Sequence, residues 1–90
     1  MLKLEISKPA ARFVQTRQPK HQRQIIARVQ ALREQPLPPD SRPLQSGERG
    51  DRRADIGEYR IVYRIEDGTL HVMLIGKRND DEVYRRFDRH

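Results

Sequence analysis

Residues 59–77, YRIVYRIEDGTLHVMLIGK, constrain this chain more than any other stretch. Two runs rich in β-branched and aromatic residues flank Asp67-Gly68, a pair suited to a two-residue hairpin turn whose central positions both need positive φ. With that turn, Glu66 pairs with Thr69, Ile65 with Leu70, Tyr63 with Val72, Ile61 with Leu74 and Arg60 with Ile75. Side chains alternate across a strand, so the expected faces follow. One holds Tyr59, Ile61, Tyr63, Ile65, Leu70, Val72 and Leu74; the other holds Arg60, Val62, Arg64, His71, Met73, Ile75 and Lys77. The first face is the core face, and Tyr59 and Tyr63 belong to it.

The rest of the chain supplies what packs on that face. Leu2, Leu4 and Ile6 alternate with polar residues as in a half-buried strand. Ser7 is placed to cap a helix over about residues 8–16, with Pro9 in its first turn and Phe13 and Val14 at helical spacing. A second helix over about residues 20–34 carries Ile25, Ile26, Val29 and Leu32 on one stripe. Residues 36–50 contain four prolines and two glycines and read as a loop in which neither a helix nor a central strand forms. A strand over about 52–56 precedes the hairpin, and a short helix over about 80–87, with Phe87 as a core residue, closes the chain. The expected class is α+β: an N-terminal strand, a helical hairpin and an antiparallel-rich sheet of about four strands, in one domain spanning residues 1–90.

Ninety residues, 34% hydrophobic and 36% charged, exclude a multidomain enzyme with a deep internal active site. No apolar run approaches the roughly 20 residues needed to cross a bilayer, and the N-terminus lacks the apolar stretch of a signal peptide, so a cytoplasmic protein with no membrane partner is expected. The absence of cysteine removes disulfides, thiolate ligands and cysteine nucleophiles, and three dispersed histidines give no reason to expect zinc. The net charge is +6, and fifteen of the nineteen basic residues are arginine. Residues 1–33 carry eight basic residues and one acidic residue. Arginine favours phosphate and carboxylate forks, so a polyanion or an acidic protein is the expected partner. For the basic N-terminal third three readings stand: docking on RNA, binding an acidic protein segment, or a solvated helix face.

If Ile56-Gly57 links two antiparallel strands, Arg53 falls opposite Arg60. Such a like-charge pair repels unless an anion such as phosphate lies between the two guanidinium groups. The alternative is that Arg53, Arg60 and Arg64 are solvated strand residues. His71 shares their face but lies about 13 Å along the strand from Arg60, which suits a solvated histidine better than an acid–base role.

The stretch from Arg53 to Tyr84, above all GEYRIVYRIEDGTLHVMLIGKRNDDEVY, resembles the C-terminal half of RelE/ParE-superfamily toxins of bacterial type II toxin–antitoxin systems. The Gly-x-Tyr-Arg-x-x-Tyr stretch, the acidic-glycine hairpin and Gly-Lys-Arg followed by Glu-Val-Tyr stand in the family's order, and the layout of elements agrees. The resemblance is closer to the RelE branch, whose members cut messenger RNA in the ribosomal A site without a metal or other cofactor, than to the ParE branch, associated with inhibition of DNA gyrase. It implies a RelE-like fold, a cognate acidic antitoxin, and the ribosome and mRNA as partners, with gyrase inhibition or mere antitoxin binding as alternatives. It assigns Arg53, Arg60, Arg78 and Tyr84 to catalysis and Lys77, Arg52 and Arg85 to RNA binding. Arg53, Arg60 and Arg78 would grip the scissile phosphate, and Tyr84 would stack on a base or move a proton. Asp51 stands where the RelE branch has a lysine, and Arg53 replaces a second lysine. With neither lysine present the general base is unassigned, and Asp51 reads as an ion-pair partner.

Overall fold

A computed structural model of the chain describes residues 1–44 and 50–78. The C-terminal helix expected over about residues 80–87, with Phe87, Tyr84 and Arg85, lies outside the described residues. Strand β1 (Lys3–Ile6) leads into helices α1 (Lys8–Gln15) and α2 (Pro19–Glu34), followed by strands β2 (Arg42–Pro43), β3 (Arg52–Ile56), β4 (Tyr59–Glu66) and β5 (Thr69–Lys77). They form one α+β layer pair: a five-stranded sheet in the order β1-β5-β4-β3-β2 with both helices on one face. β1 runs parallel to β5, and every other pairing is antiparallel. The fifth strand is β2, a two-residue edge strand inside the proline-rich stretch read as loop. Pro43 has no N–H to give, which an edge tolerates and a central strand does not.

Ser7 caps α1 through its side chain, which accepts from the Ala10 N–H at 3.2 Å while its hydroxyl donates to the Met73 carbonyl at 2.6 Å. One side chain thus ties the helix start to β5. Proline occupies the first turn of both helices, where a missing N–H costs nothing. In α2, Ile25, Val29 and Leu32 are buried, but Ile26 is 49% exposed, which removes it from the expected stripe. The stripe follows the i, i+4, i+7 spacing, and Ile26 sits about 100° round the helix from Ile25. The helix-side core joins Ala10 and the α2 stripe to Tyr59, Ile61, Tyr63, Leu70, Val72 and Ile75, with Phe13 packed against it. Both tyrosines are buried there: Tyr63 donates to the Pro36 carbonyl at 2.8 Å, and the Tyr59 hydroxyl meets His21 Nδ1.

The hairpin corrects one expectation. Asp67 and Gly68 both have positive φ, as a two-residue turn of that hand requires, and the pairing follows the expected register as far as Tyr63 and Val72. A bulge then leaves Met73 unpaired, so that Val62 faces Leu74, Ile61 faces Ile75, Arg60 faces Gly76 and Tyr59 faces Lys77. Beyond the bulge every side chain of β5 changes face. Ile75 therefore enters the helix-side core, while Leu74 joins Leu44 and Val62 in a small apolar cluster on the other face.

Candidate nucleic-acid interface

The turn between β3 and β4 decides what meets what on the helix-free face. Its central residues are Gly57 and Glu58, one step beyond the expected pair, so Asp55 lies opposite Arg60 and Arg53 opposite Val62. Gly57 has φ +55°, and a Cβ there would stand 3.0 Å from the Gln24 side chain, so glycine fixes both the turn and its seat against α2. The expected Arg53–Arg60 opposition is thereby corrected. Both arginines keep the same face, but a carboxylate stands opposite Arg60.

That carboxylate is clasped. Arg60 donates from Nε to Asp55 Oδ1 at 2.7 Å and from Nη2 to Oδ2 at 3.2 Å, a two-point fork. Arg78 lies just past β5, where its backbone N–H donates to the Glu58 carbonyl at 2.8 Å. This latch brings Arg78 Nε to 3.9 Å from Asp55 Oδ2. The hydrogen bond from Arg60 holds the Asp55 carboxyl below its ordinary range against the opposing effect of burial, and the charges of Arg60, Arg78 and Arg53 add to it. Two guanidinium groups, those of the sequence candidates Arg60 and Arg78, therefore converge on one oxyanion position, and Arg53 stands on the same face two residues along β3 from Asp55. The Asp55 charge stabilises the fold fully above the ordinary aspartate value of 3.8, and that contribution is lost as pH falls through the lower folded-state value. An Asp55→Asn chain should show a shallower loss of stability below about pH 4 in acid unfolding followed by circular dichroism; superimposable acid limbs for the two chains would contradict the pairing.

Asp51 is an ion-pair partner, buried and accepting from Arg64 Nε at 2.6 Å on Oδ1. That hydrogen bond raises the Arg64 pKa above its ordinary value. His71 pairs across the sheet with Arg64, away from Arg60, and its Nδ1 is 3.2 Å from Glu5 Oε2.

Two RNA-binding candidates do not join the cluster. Arg52 shares the helix-side face with Tyr63, and its Nη2 donates to Ser41 Oγ at 2.7 Å. Lys77 is carried to the face of Tyr59 by the bulge. Tyr84 and Arg85 lie outside the described residues. The sequence reading missed Asp55 and Arg42. Arg42 lies directly opposite Arg53 on this face, hidden in sequence by the prolines around it. The signal for Asp55 was its two-residue spacing from Arg53, which places both on one face of a strand.

Among the described residues no three His, Asp or Glu side chains gather as cation ligands, and no helix is long and apolar enough to cross a membrane. The cradle is suited to holding an anionic oxygen by charge and hydrogen bonding.

Comparison with known proteins bears on the fold and the family. The toxin of the RelE–RelB complex from Pyrococcus horikoshii superposes with a TM-score of 0.75 at 22% identity, covering 86% of this chain and 94% of that one. The RelBE2 toxin–antitoxin complex of Mycobacterium tuberculosis gives 0.73 at 24%, covering 86% and 98%. YafQ of E. coli gives 0.64 at 23%, covering 88% and 96%. At these identities the likeness is one of fold. No curated protein matches the sequence. The family model of the ParE toxin of type II toxin–antitoxin systems (parDE) matches residues 4–82, and this chain therefore belongs to that family of toxins, within the RelE/ParE superfamily.

Proposed function

We propose that this toxin is a metal-independent, ribosome-dependent mRNA endonuclease that inhibits translation. The observation that carries the reading is the convergence of Arg60 and Arg78 on the Asp55 carboxylate, with Arg53 on the same sheet face. An arrangement that fits a carboxylate fork also fits two oxygens of a phosphodiester. In RNA cleavage of this kind the 2′-oxygen bonds to phosphorus as the bond to the 5′-oxygen breaks. A base takes the 2′-proton, and an acid protonates the leaving oxygen. The three arginines stabilise the added negative charge on the non-bridging oxygens, with Arg60 exchanging Asp55 for the phosphate. Tyr84 stacks on a base or carries a proton, the role the family resemblance gives it.

The partner in the resting state is an acidic antitoxin. The Pyrococcus and Mycobacterium structures are complexes of toxin with antitoxin, and the eight basic residues among the first 33 suit an acidic segment here.

The second reading is gyrase inhibition without chemistry. It is favoured by the ParE family match and by the absence of a histidine from the cradle among the described residues. Primer extension on a translated message separates the two. Cuts at codons in the A site that vanish when initiation is blocked, alongside unimpaired supercoiling by gyrase, are expected. An intact message with supercoiling blocked would overturn the endonuclease reading.

A further inference from the structure

β2 holds an unbalanced pair of charges. Its register sets Arg42 directly opposite Arg53 on the helix-free face. Directly opposed residues of an antiparallel pair have Cβ atoms about 4.5–5.5 Å apart, and like charges there repel. No described carboxylate stands within ion-pair distance of either group. Among the described residues neither Arg42 nor Arg53 makes a side-chain hydrogen bond or an ion pair within 4 Å, and the neighbouring Asp55 is held in the Arg60 fork. The edge is nevertheless well anchored: the Leu44 N–H donates to the Asp51 carbonyl at 2.9 Å, and Leu44 is buried against Val62. The fold therefore holds Arg42 and Arg53 side by side across the β2–β3 edge.

We infer that Arg42 and Arg53 form a second phosphate subsite, which takes the phosphodiester next to the one seated at the Arg60–Arg78 cradle on a single RNA strand. The ligand class rests on the endonuclease reading; the subsite itself rests on the register. Arg53 and Asp55 are two residues apart along β3, about 7 Å, a step comparable to that between successive phosphates of an extended single strand. Arg53 stands between the two positions and contributes to both. Recognition in this form needs at least two consecutive phosphates, which separates an RNA strand from a lone phosphate or a mononucleotide.

The test uses the full-length toxin and 2′-O-methyl RNA, which has no 2′-hydroxyl to attack with. Binding of a dinucleotide (one phosphodiester) and a tetranucleotide (three) is measured by fluorescence anisotropy across a salt series. Arg42→Gln should weaken the tetranucleotide roughly tenfold and lower its salt slope by about 0.7, the contribution of one neutralised phosphate on a single strand. Dinucleotide affinity should not change, and the melting temperature should rise slightly as the repulsion is relieved. Arg42→Lys should keep most of the salt slope. Because Arg42 is exposed and bonds to no described side chain, the variant is expected to fold, and the melting curve checks this. Unchanged tetranucleotide affinity and slope would overturn the subsite. So would weakened binding of poly-glutamate with RNA binding intact, which would assign the pair to an acidic protein segment. If messages are cut normally while Arg42→Gln binds RNA as the native chain does, the subsite fails and the endonuclease reading stands. If no message is cut yet Arg42 controls the salt slope, the reverse holds.

Discussion

On the endonuclease reading, an Arg60→Ala chain should cut translated messages about a hundredfold to a thousandfold more slowly than the native chain, the loss expected when a preorganised donor to a developing oxyanion is removed. Arg60 has the largest effect among the cradle arginines for geometric reasons. Its side chain is only 15% exposed and already holds two oxygens of a carboxylate in a fork, so little ordering remains to be done when a phosphate arrives. Arg78 is 49% exposed and stands 3.9 Å from the same carboxylate, where water screens its charge, so Arg78→Ala should cost less. Arg60→Lys keeps the charge and loses the planar fork, so it should recover only a small part of the rate. The measurement is the single-turnover cutting rate on programmed ribosomes, read beside the melting temperature. Asp55 keeps Arg78 and Arg53 nearby when Arg60 is gone, so a folded variant is expected. A folded Arg60→Ala chain that cuts within about threefold of native would remove Arg60 from the mechanism.

The elements of this fold are legible in the sequence where local chemistry decides alone. Ser7 followed by Pro9, and Asp67-Gly68, each act within a few residues, and each stands where that chemistry puts it. Parity fails at Met73. The run from Val72 to Ile75 is apolar throughout, so no polar residue marks the position where β5 changes phase, and packing of Ile75 under the helices with Leu74 on the far side settles it in three dimensions. The β3–β4 turn was misread by a single residue. The consequence falls on the site, because one step exchanges an Arg60–Arg53 opposition for an Arg60–Asp55 ion pair. Arg53 and Arg60 still share a face despite that error, because a two-residue shift of partner leaves the face unchanged. Arg42 was not legible: a two-residue edge strand has too short a pattern to register, and the prolines around it argue for loop.

Removing the buried carboxylate at Asp51 should destabilise the fold far more than any change in the cradle. Asp51 and Arg64 extend the β3–β4 register by one step beyond Arg52 and Tyr63, and the Asp51 side chain is 5% exposed against 17% for Arg64. Asp51→Ala leaves a guanidinium in that setting with, among the described residues, only Glu66, 3.8 Å away and largely in water, to offset it. Loss of one partner of a buried pair costs about 3–5 kcal/mol, and the partial exposure of Arg64 points to the lower end. For a chain of this length a loss of about 3 kcal/mol corresponds to a fall of roughly 12–24 °C in melting temperature, readable by calorimetry. Arg64→Met together with Asp51→Ala should recover much of it, because no charge is then left unpaired. The same physics bears on the lysine that the RelE branch carries at position 51. Asp51→Lys alone would set an ammonium against Arg64 in a water-poor position, so it should unfold the chain rather than strengthen cutting. Asp51→Lys with Arg64→Met should fold and cut faster than native if a lysine there supplies the missing proton carrier. An Asp51→Lys chain as stable as native would show that the Asp51–Arg64 pair contributes nothing to holding β3 against β4.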